Sequence, residues 1–176
     1  MAYRFAEDFS IPDERGRAYG IDIEKNTALS NAHACVTEDG RYHVTLNGNK
    51  HFLNTPGLRD FRLEMEFSMR IHNPEFGCGF ILYFRYDRRR GLGHSLACAW
   101  DREGRRRILL DGRCVDREAG GGIPAFDAEK VRLELQGDRL VFDYNSRRYA
   151  LDGVDAGGLP RQGEVGFDLL FSPGGS

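Results

Sequence analysis

Polar and apolar residues alternate one by one through long parts of this chain. Between Phe61 and Ile71 the apolar positions Phe61, Leu63, Met65, Phe67, Met69 and Ile71 are separated by Arg62, Glu64, Glu66, Ser68 and Arg70. Side chains of an extended strand point alternately to its two faces, so this run predicts a β-strand with one face buried and the other wet. The same period recurs at Val131, Leu133 and Leu135, at Leu140, Phe142 and Tyr144, and at Val165, Phe167, Leu169 and Phe171. No stretch supports an amphipathic helix longer than a turn or two.

Turn chemistry falls between these runs. Asp39-Gly40, Asn47-Gly48, Asp111-Gly112, Gly137-Asp138 and Asp152-Gly153 can adopt the positive φ angles of tight hairpins. Asn145-Ser146 separates two further strands, and Cys35 to Leu46 reads as a hairpin of its own. The spacing predicts around ten to twelve short strands without β-α-β alternation, which is an all-β, two-sheet antiparallel sandwich. No repeat and no Pro-rich or Ser-rich linker interrupts the chain, so residues 1–176 are read as a single domain. Ile11 to Arg17, Ala119 to Gly122 and the tail from Pro173 to Ser176 are expected to be the least ordered.

Composition narrows the classes. The 176 residues are 40% hydrophobic and 30% charged with only 6 Pro, a globular balance. A chain of this length buries roughly 70% of its unfolded surface, enough for a core without staples. Lys and Arg number 25 against 27 acids, and the resulting charge of -2 provides no global field toward nucleic acid or an anionic membrane, so neither partner is expected. The basic runs Arg88-Arg89-Arg90 and Arg105-Arg106-Arg107 sit beside turns and near Asp87, Glu103 and Asp111, and read as solvated loops. The N-terminus has no apolar leader and no run approaches about 18 apolar residues, which places the chain as written in the cytoplasm, or outside the cell if a leader has been removed. Cys35, Cys78, Cys98 and Cys114 form no CxxC pair; Cys78 and Cys98 lie in apolar runs and are expected as buried thiols, with disulfides only in a secreted protein. No cofactor is implied.

The order of the pieces carries a resemblance. A segment Phe5-Ala-Glu-Asp-Phe9 precedes the alternating run from Phe61, then Gly77-Cys-Gly-Phe-Ile-Leu-Tyr-Phe-Arg85-Tyr86-Asp87 and a strand ending in Trp100. A hairpin at Asp111-Gly112 follows, then Val131 to Gly137, Leu140 to Asn145 and Gly163-Glu-Val-Gly-Phe167. Together these pieces resemble the laminin-G-like and 3-keto-glycoside-hydrolase-like branch of the concanavalin A-like lectin/glucanase superfamily. The resemblance implies a jelly roll with a carbohydrate on its concave sheet, often as a module of a bacterial glycan-active system with an attached catalytic domain. The early Trp of the pattern is missing after Phe9, and the strand after Phe167 is cut short at Ser176, so a last strand could come from the N-terminus, a neighbouring chain or a larger parent.

Strand parity supplies the candidate site. With odd positions of Phe61 to Ile71 buried, Glu64, Glu66 and Arg70 face outward; with Phe80, Leu82, Phe84 and Tyr86 buried, Tyr83 and Arg85 join them. By the same rule Glu164 and Asp168 point outward. His94 and Trp100 begin and end one strand, Trp100 either in the core or as a stacking wall. Sugar hydroxyls bond to charged groups and sugar C–H faces stack on aromatics, so Glu64, Glu66, Tyr83, Arg85, His94, Trp100 and Asp168 form a candidate set for a non-catalytic oligo- or polysaccharide-binding module. The competing reading is cross-strand salt pairs on a solvated sheet.

Two further readings remain. Glucanases of the superfamily place acids in an E-x-D-x-x-E spacing on one strand, whereas Glu64-Met65-Glu66-Phe67-Ser68-Met69 lacks the third acid. Glu64 and Glu66 would lie about 7 Å apart by strand rise, within reach of inverting chemistry, and an acid with His94 is the other enzymatic pairing. A structural domain that packs on a partner or forms a homo-oligomer is the third, because an unpaired edge invites pairing. Gly93-His94-Ser95-Leu96-Ala97 resembles an esterase elbow, but no histidine follows Ser95 and no helix is expected there. Asp87, Asp101 and Asp116 form no D-x-D calcium cluster, so no metal is expected.

Overall fold

The computed structural model describes residues 21–24, 34–36, 42–44, 50–53, 55–69, 77–120 and 125–172. Strands β1 (Ile21–Glu24), β4 (Lys50–Leu53), β6 (Gly77–Asp87), β7 (Leu92–Trp100), β8 (Arg106–Leu110), β9 (Arg113–Glu118) and β13 (Glu164–Ser172) form a seven-stranded sheet in the order β1-β4-β13-β6-β7-β8-β9. Strands β5 (Phe61–Met69), β10 (Phe126–Gln136), β11 (Arg139–Tyr144) and β12 (Arg147–Leu151) form a four-stranded sheet in the order β12-β11-β10-β5. A separate hairpin joins β2 (Ala34–Val36) to β3 (Tyr42–Val44). All recorded pairings are antiparallel.

The expected strands fall on β5, β10, β11 and β13, and the hairpin around Cys35 pairs Cys35 with His43. Asp111-Gly112 and Asn145-Ser146 turn with positive φ at both residues, and Gly137 turns with φ 59°; Asp152-Gly153 is not a hairpin turn, because Gly153 at φ 79° leads into the 3-10 turn Val154–Gly157. The turns at Asp39-Gly40 and Asn47-Gly48, the segment Phe5 to Phe9 and Arg70-Ile71 lie outside the described residues.

Two apolar faces meet between the layers. Phe80, Leu82, Phe84, Leu96, Cys98 and Ile108 enter from the larger sheet, and Val131, Leu133, Leu135, Leu140, Phe142 and Tyr144 from the smaller. Trp100 lies edge-on to Phe126 at 4.8 Å and to Tyr144 at 5.8 Å, and Phe67 lies edge-on to Phe80 at 5.0 Å, so aromatic edges meet ring faces across the two layers. Cys78 and Cys98 are buried free thiols, and burial pushes the Cys78 thiol up to about 11.

One break in the alternation sets the geometry of the larger sheet. Between Tyr83 and Tyr86, β6 places two residues against one on each neighbour: Gly166 pairs with Tyr83 and Glu164 with Tyr86, while His94 pairs with Phe84 and Leu92 with Asp87. This is a β-bulge, with Arg85 at φ 49°. It turns Arg85 inward, against the parity expectation, and moves Tyr86 to the outer face. Gly163 lies against the bulge so closely that a Cβ there would stand 2.5 Å from the Arg85 carbonyl carbon.

Arg85 is fully buried. Its Nε donates to the Arg59 carbonyl at 2.8 Å, Nη2 donates to the Gly137 carbonyl at 2.5 Å, and Nη1 pairs with the Asp155 carboxylate. Asp60 lies 3.6 Å from Nη2 and accepts from the Gly137 amide at 2.9 Å. One guanidinium thus fastens β6 to the loop before β5, the β10–β11 turn and the 3-10 turn Val154–Gly157. Removing one partner of a buried, hydrogen-bonded ion pair costs about 3–5 kcal/mol. Arg85→Met should therefore lower unfolding free energy in urea by about that amount, whereas Arg62→Met, on an exposed pair, should change it by less than about 1 kcal/mol.

Candidate functional site

The structure divides the expected set among three places. Glu64 and Glu66 lie on the outer face of the four-stranded sheet. Tyr83 and Asp168 lie on the outer face of the seven-stranded sheet, on the opposite side of the sandwich. Arg85, His94 and Trp100 point between the layers. These seven residues therefore do not form one surface.

On the smaller sheet the registers place Glu64 opposite Arg132, Glu66 opposite Lys130 and Asp143 opposite Arg148. Arg62 pairs with Glu64 and Arg132 with Glu134, while Lys130 stands 3.8 Å from Glu66. A shallow open depression of about 550 Å³ runs over Glu64, Glu66, Lys130, Arg132 and Asp143. The Arg62 hydrogen bond and charge hold the Glu64 carboxyl below its usual range, which suits an ionised salt partner and not a proton donor.

The inward residues have structural partners. His94 stacks on Phe84 at 5.2 Å, and its Nδ1 lies 2.9 Å from Asp111 Oδ2. Trp100 is 5% exposed within the aromatic core, so it offers no stacking wall. Arg106 departs from the solvated-loop expectation: it is 7% exposed and its Nη2 donates to the Tyr149 hydroxyl at 2.8 Å and to Glu118 at 2.9 Å. It ties the edge of the larger sheet to β12.

The outer face of the larger sheet gathers a different group. Phe52 from β4 packs 6.1 Å from Tyr83 and 5.2 Å from Tyr86, and the two tyrosine rings lie 5.4 Å apart. Lys50 Nζ stands 4.8 Å from the Tyr86 ring centre and donates to the Tyr86 hydroxyl at 2.6 Å. Arg88 covers Phe52 at 5.2 Å and grips Glu164 through Nε at 2.7 Å and Nη2 at 2.5 Å. Two glycines make room: a Cβ on Gly93 would stand 2.6 Å from the Tyr86 ring, and one on Gly166 2.7 Å from the Phe52 ring.

Asp168 belongs to this group. It is 8% exposed, and its Oδ1 accepts from the Leu169 amide at 2.7 Å. Burial raises its carboxyl to about 7, offset in part by that hydrogen bond and by the Lys50 charge. Lys50, Tyr83, Arg88 and Glu164 are half-buried and form the polar rim above Phe52, Tyr86 and Asp168. Tyr83 and Asp168 follow from alternation. Lys50, Phe52, Tyr86 and the Arg88–Glu164 pair were missed, because pairing with β4 and the bulge in β6 bring them in.

No protein-family model matches the chain, and no significant match is found among curated proteins. Solved structures do match. The carbohydrate-binding module CBM66 of Bacillus subtilis is 15% identical over 87% of this chain and 92% of its own, with a TM-score of 0.56. A Bacillus subtilis protein of unknown function with a galectin-like fold is 12% identical over 85% of this chain and 82% of its own, with a TM-score of 0.56. A glycoside hydrolase family 16 endo-glucanase of Bacteroides ovatus is 10% identical over 95% of this chain and 85% of its own, with a TM-score of 0.58. The fold is a concanavalin A-like jelly roll. In this jelly roll no group of three His, Cys, Asp or Glu side chains is placed to hold a metal ion among the described residues.

Two buried groups give the jelly roll opposite pH responses. His51 lies on the other face of the same strand pair, stacked on Phe167 at 5.3 Å, and burial lowers it to about 4. A lowered histidine contributes stability above its unfolded value of 6.5 that is lost as pH falls toward 4. Asp168, raised from 3.8 to about 7, contributes stability below 3.8 that is lost as pH rises toward 7. Between about pH 4 and 6.5 the two slopes cancel. Urea unfolding across that window should show Asp168→Asn gaining stability with rising pH and His51→Gln losing it, each by up to about 1.4 kcal/mol per pH unit relative to the parent.

Proposed function

We propose that the chain is a non-catalytic carbohydrate-recognising module that takes its ligand on the outer face of the seven-stranded sheet. The observation that carries this reading is the convergence of Lys50, Tyr83 and Asp168 on one aromatic floor. Tyr83 offers part of a ring to a sugar C–H face, and its hydroxyl, the ammonium and the carboxyl offer donors and acceptors to ring hydroxyls. A carboxyl near its midpoint at neutral pH can do either. The fold likeness to a carbohydrate-binding module and to an endo-glucanase is in keeping with this reading.

Hydrolysis would need a second free carboxyl about 5–9.5 Å from Asp168. Glu164, on the same face, is four residues along β13, about 13 Å by strand rise, and is gripped by Arg88. Glu64 and Glu66 lie on the far side of the sandwich, committed to arginine and lysine. The arrangement therefore favours binding over bond cleavage.

Calorimetric titration against a panel of oligosaccharides tests the proposal. Tyr83→Ala and Asp168→Ala should each weaken the best ligand about tenfold or more, in line with the loss of a stacked ring or a paired polar group at a buried site. Glu64→Gln and Glu66→Gln should leave its affinity unchanged; the reverse pattern would move the site to the smaller sheet.

A further inference from the structure

β9 separates its charges by face. Asp116 and Glu118 share the face of Ile108 and Arg106 and engage the buried Arg106, at 3.4 Å and 2.9 Å. Arg117 takes the opposite face, and its partner across the ladder is Arg107. Two guanidinium side chains thus stand directly opposite each other on the outer face of the larger sheet, their Cβ atoms about 5 Å apart, an arrangement that destabilises a sheet when nothing neutralises it.

Nothing described neutralises this one. On the smaller sheet each arginine, Arg62, Arg132, Arg139, Arg147 and Arg148, has a carboxylate within 4.0 Å. Arg107 and Arg117 have no ion pair among the described residues, and the Arg107 Nε is shielded from solvent without a hydrogen-bond partner. The pair occupies the same outer face as Tyr83 and Asp168. Along β7 the strip between is low, Ser95, Ala97 and Ala99, with the apolar Ile81 and Leu109 beside Ala97 on the same face. From Tyr83 to Arg107 is two strands across and four residues along, about 16 Å, the span of a short oligosaccharide.

We infer that Arg107 and Arg117 form an anion subsite of this face, and that the glycan is acidic, its carboxylate or sulfate bridging the two guanidinium groups. This rests on the carbohydrate reading given above and narrows it to a charged class. Guanidinium forks fit planar carboxylate and tetrahedral sulfate with paired hydrogen bonds, and a bridging anion converts the like-charge contact into two attractive ones.

The experiment compares three oligomers of equal length by calorimetry: galacturonic acid, a sulfated galactan and a neutral galactan. The acidic oligomers should bind at least tenfold tighter than the neutral one, and the advantage should shrink as sodium chloride rises. Whichever of the two binds tighter identifies the anion. Arg107→Gln with Arg117→Gln should remove the advantage while leaving the weak neutral binding intact. Arg117→Glu supplies an internal partner for Arg107, so it should raise the melting temperature and abolish acidic-oligomer binding. Equal affinity for all three oligomers, or an acidic preference that survives Arg117→Glu, overturns the inference and leaves the sugar site standing. Binding of none of a broad glycan panel, with inorganic sulfate alone raising the melting temperature, overturns both.

Discussion

A guanidinium buried between two apolar layers is tolerable only when its N–H groups have acceptors, and Arg85 finds them on three separate connections. Desolvating that charge is expensive, so the Arg59 and Gly137 carbonyls and the Asp155 carboxylate are held in place as firmly as any core side chain. The bulge that turns Arg85 inward is the same feature that sends Tyr86 outward, over Gly93 and against Lys50. One local irregularity therefore closes an end of the sandwich and furnishes a wall of the candidate site.

The two outer faces illustrate how the same residue types serve different ends. On the smaller sheet opposite charges face each other at Arg62 and Glu134, Glu64 and Arg132, Glu66 and Lys130, and Asp143 and Arg148, and the surface is compensated and shallow. On β9 of the larger sheet charges are sorted, Asp116 and Glu118 toward Arg106 within and Arg117 outward beside Arg107, while aromatic rings and glycines shape relief elsewhere on that face. A face that leaves like charges opposed costs stability, and that cost argues for a role in which a partner is bound.

Much of the architecture was legible in period-two alternation. The strands around Leu63, Leu133, Phe142 and Phe167, the turns at Asp111-Gly112, Gly137-Asp138 and Asn145-Ser146, and the buried thiols Cys78 and Cys98 all follow from residue type and spacing. The site was legible only in part. Parity placed Glu64, Glu66, Tyr83 and Asp168 outward, but parity is local to a strand and does not say to which sheet the strand belongs, so residues from opposite sides of the molecule were joined into one surface. Arg85 was misplaced because a bulge shifts the register by one residue, and nothing in Phe84-Arg85-Tyr86 announces it; the complementary signal, Gly163 just before β13 and distant in sequence, is visible only once the two are adjacent. His94 and Trp100 share a face as expected, and it is the inner one.

The junction at Arg85 also bears on behaviour under heat. Hydration of charged groups becomes less favourable as temperature rises, so the toll for keeping this cation dry diminishes while the gain from oily contacts levels off. Warming therefore shifts relative strength toward the arginine-tied end. The inner row of β5, Leu63, Met65, Phe67 and Met69, is only half-buried and has packing alone to rely on. Fraying should begin at the Met69 end of that row, away from Arg59 and Asp60, and reach the ionic knot last.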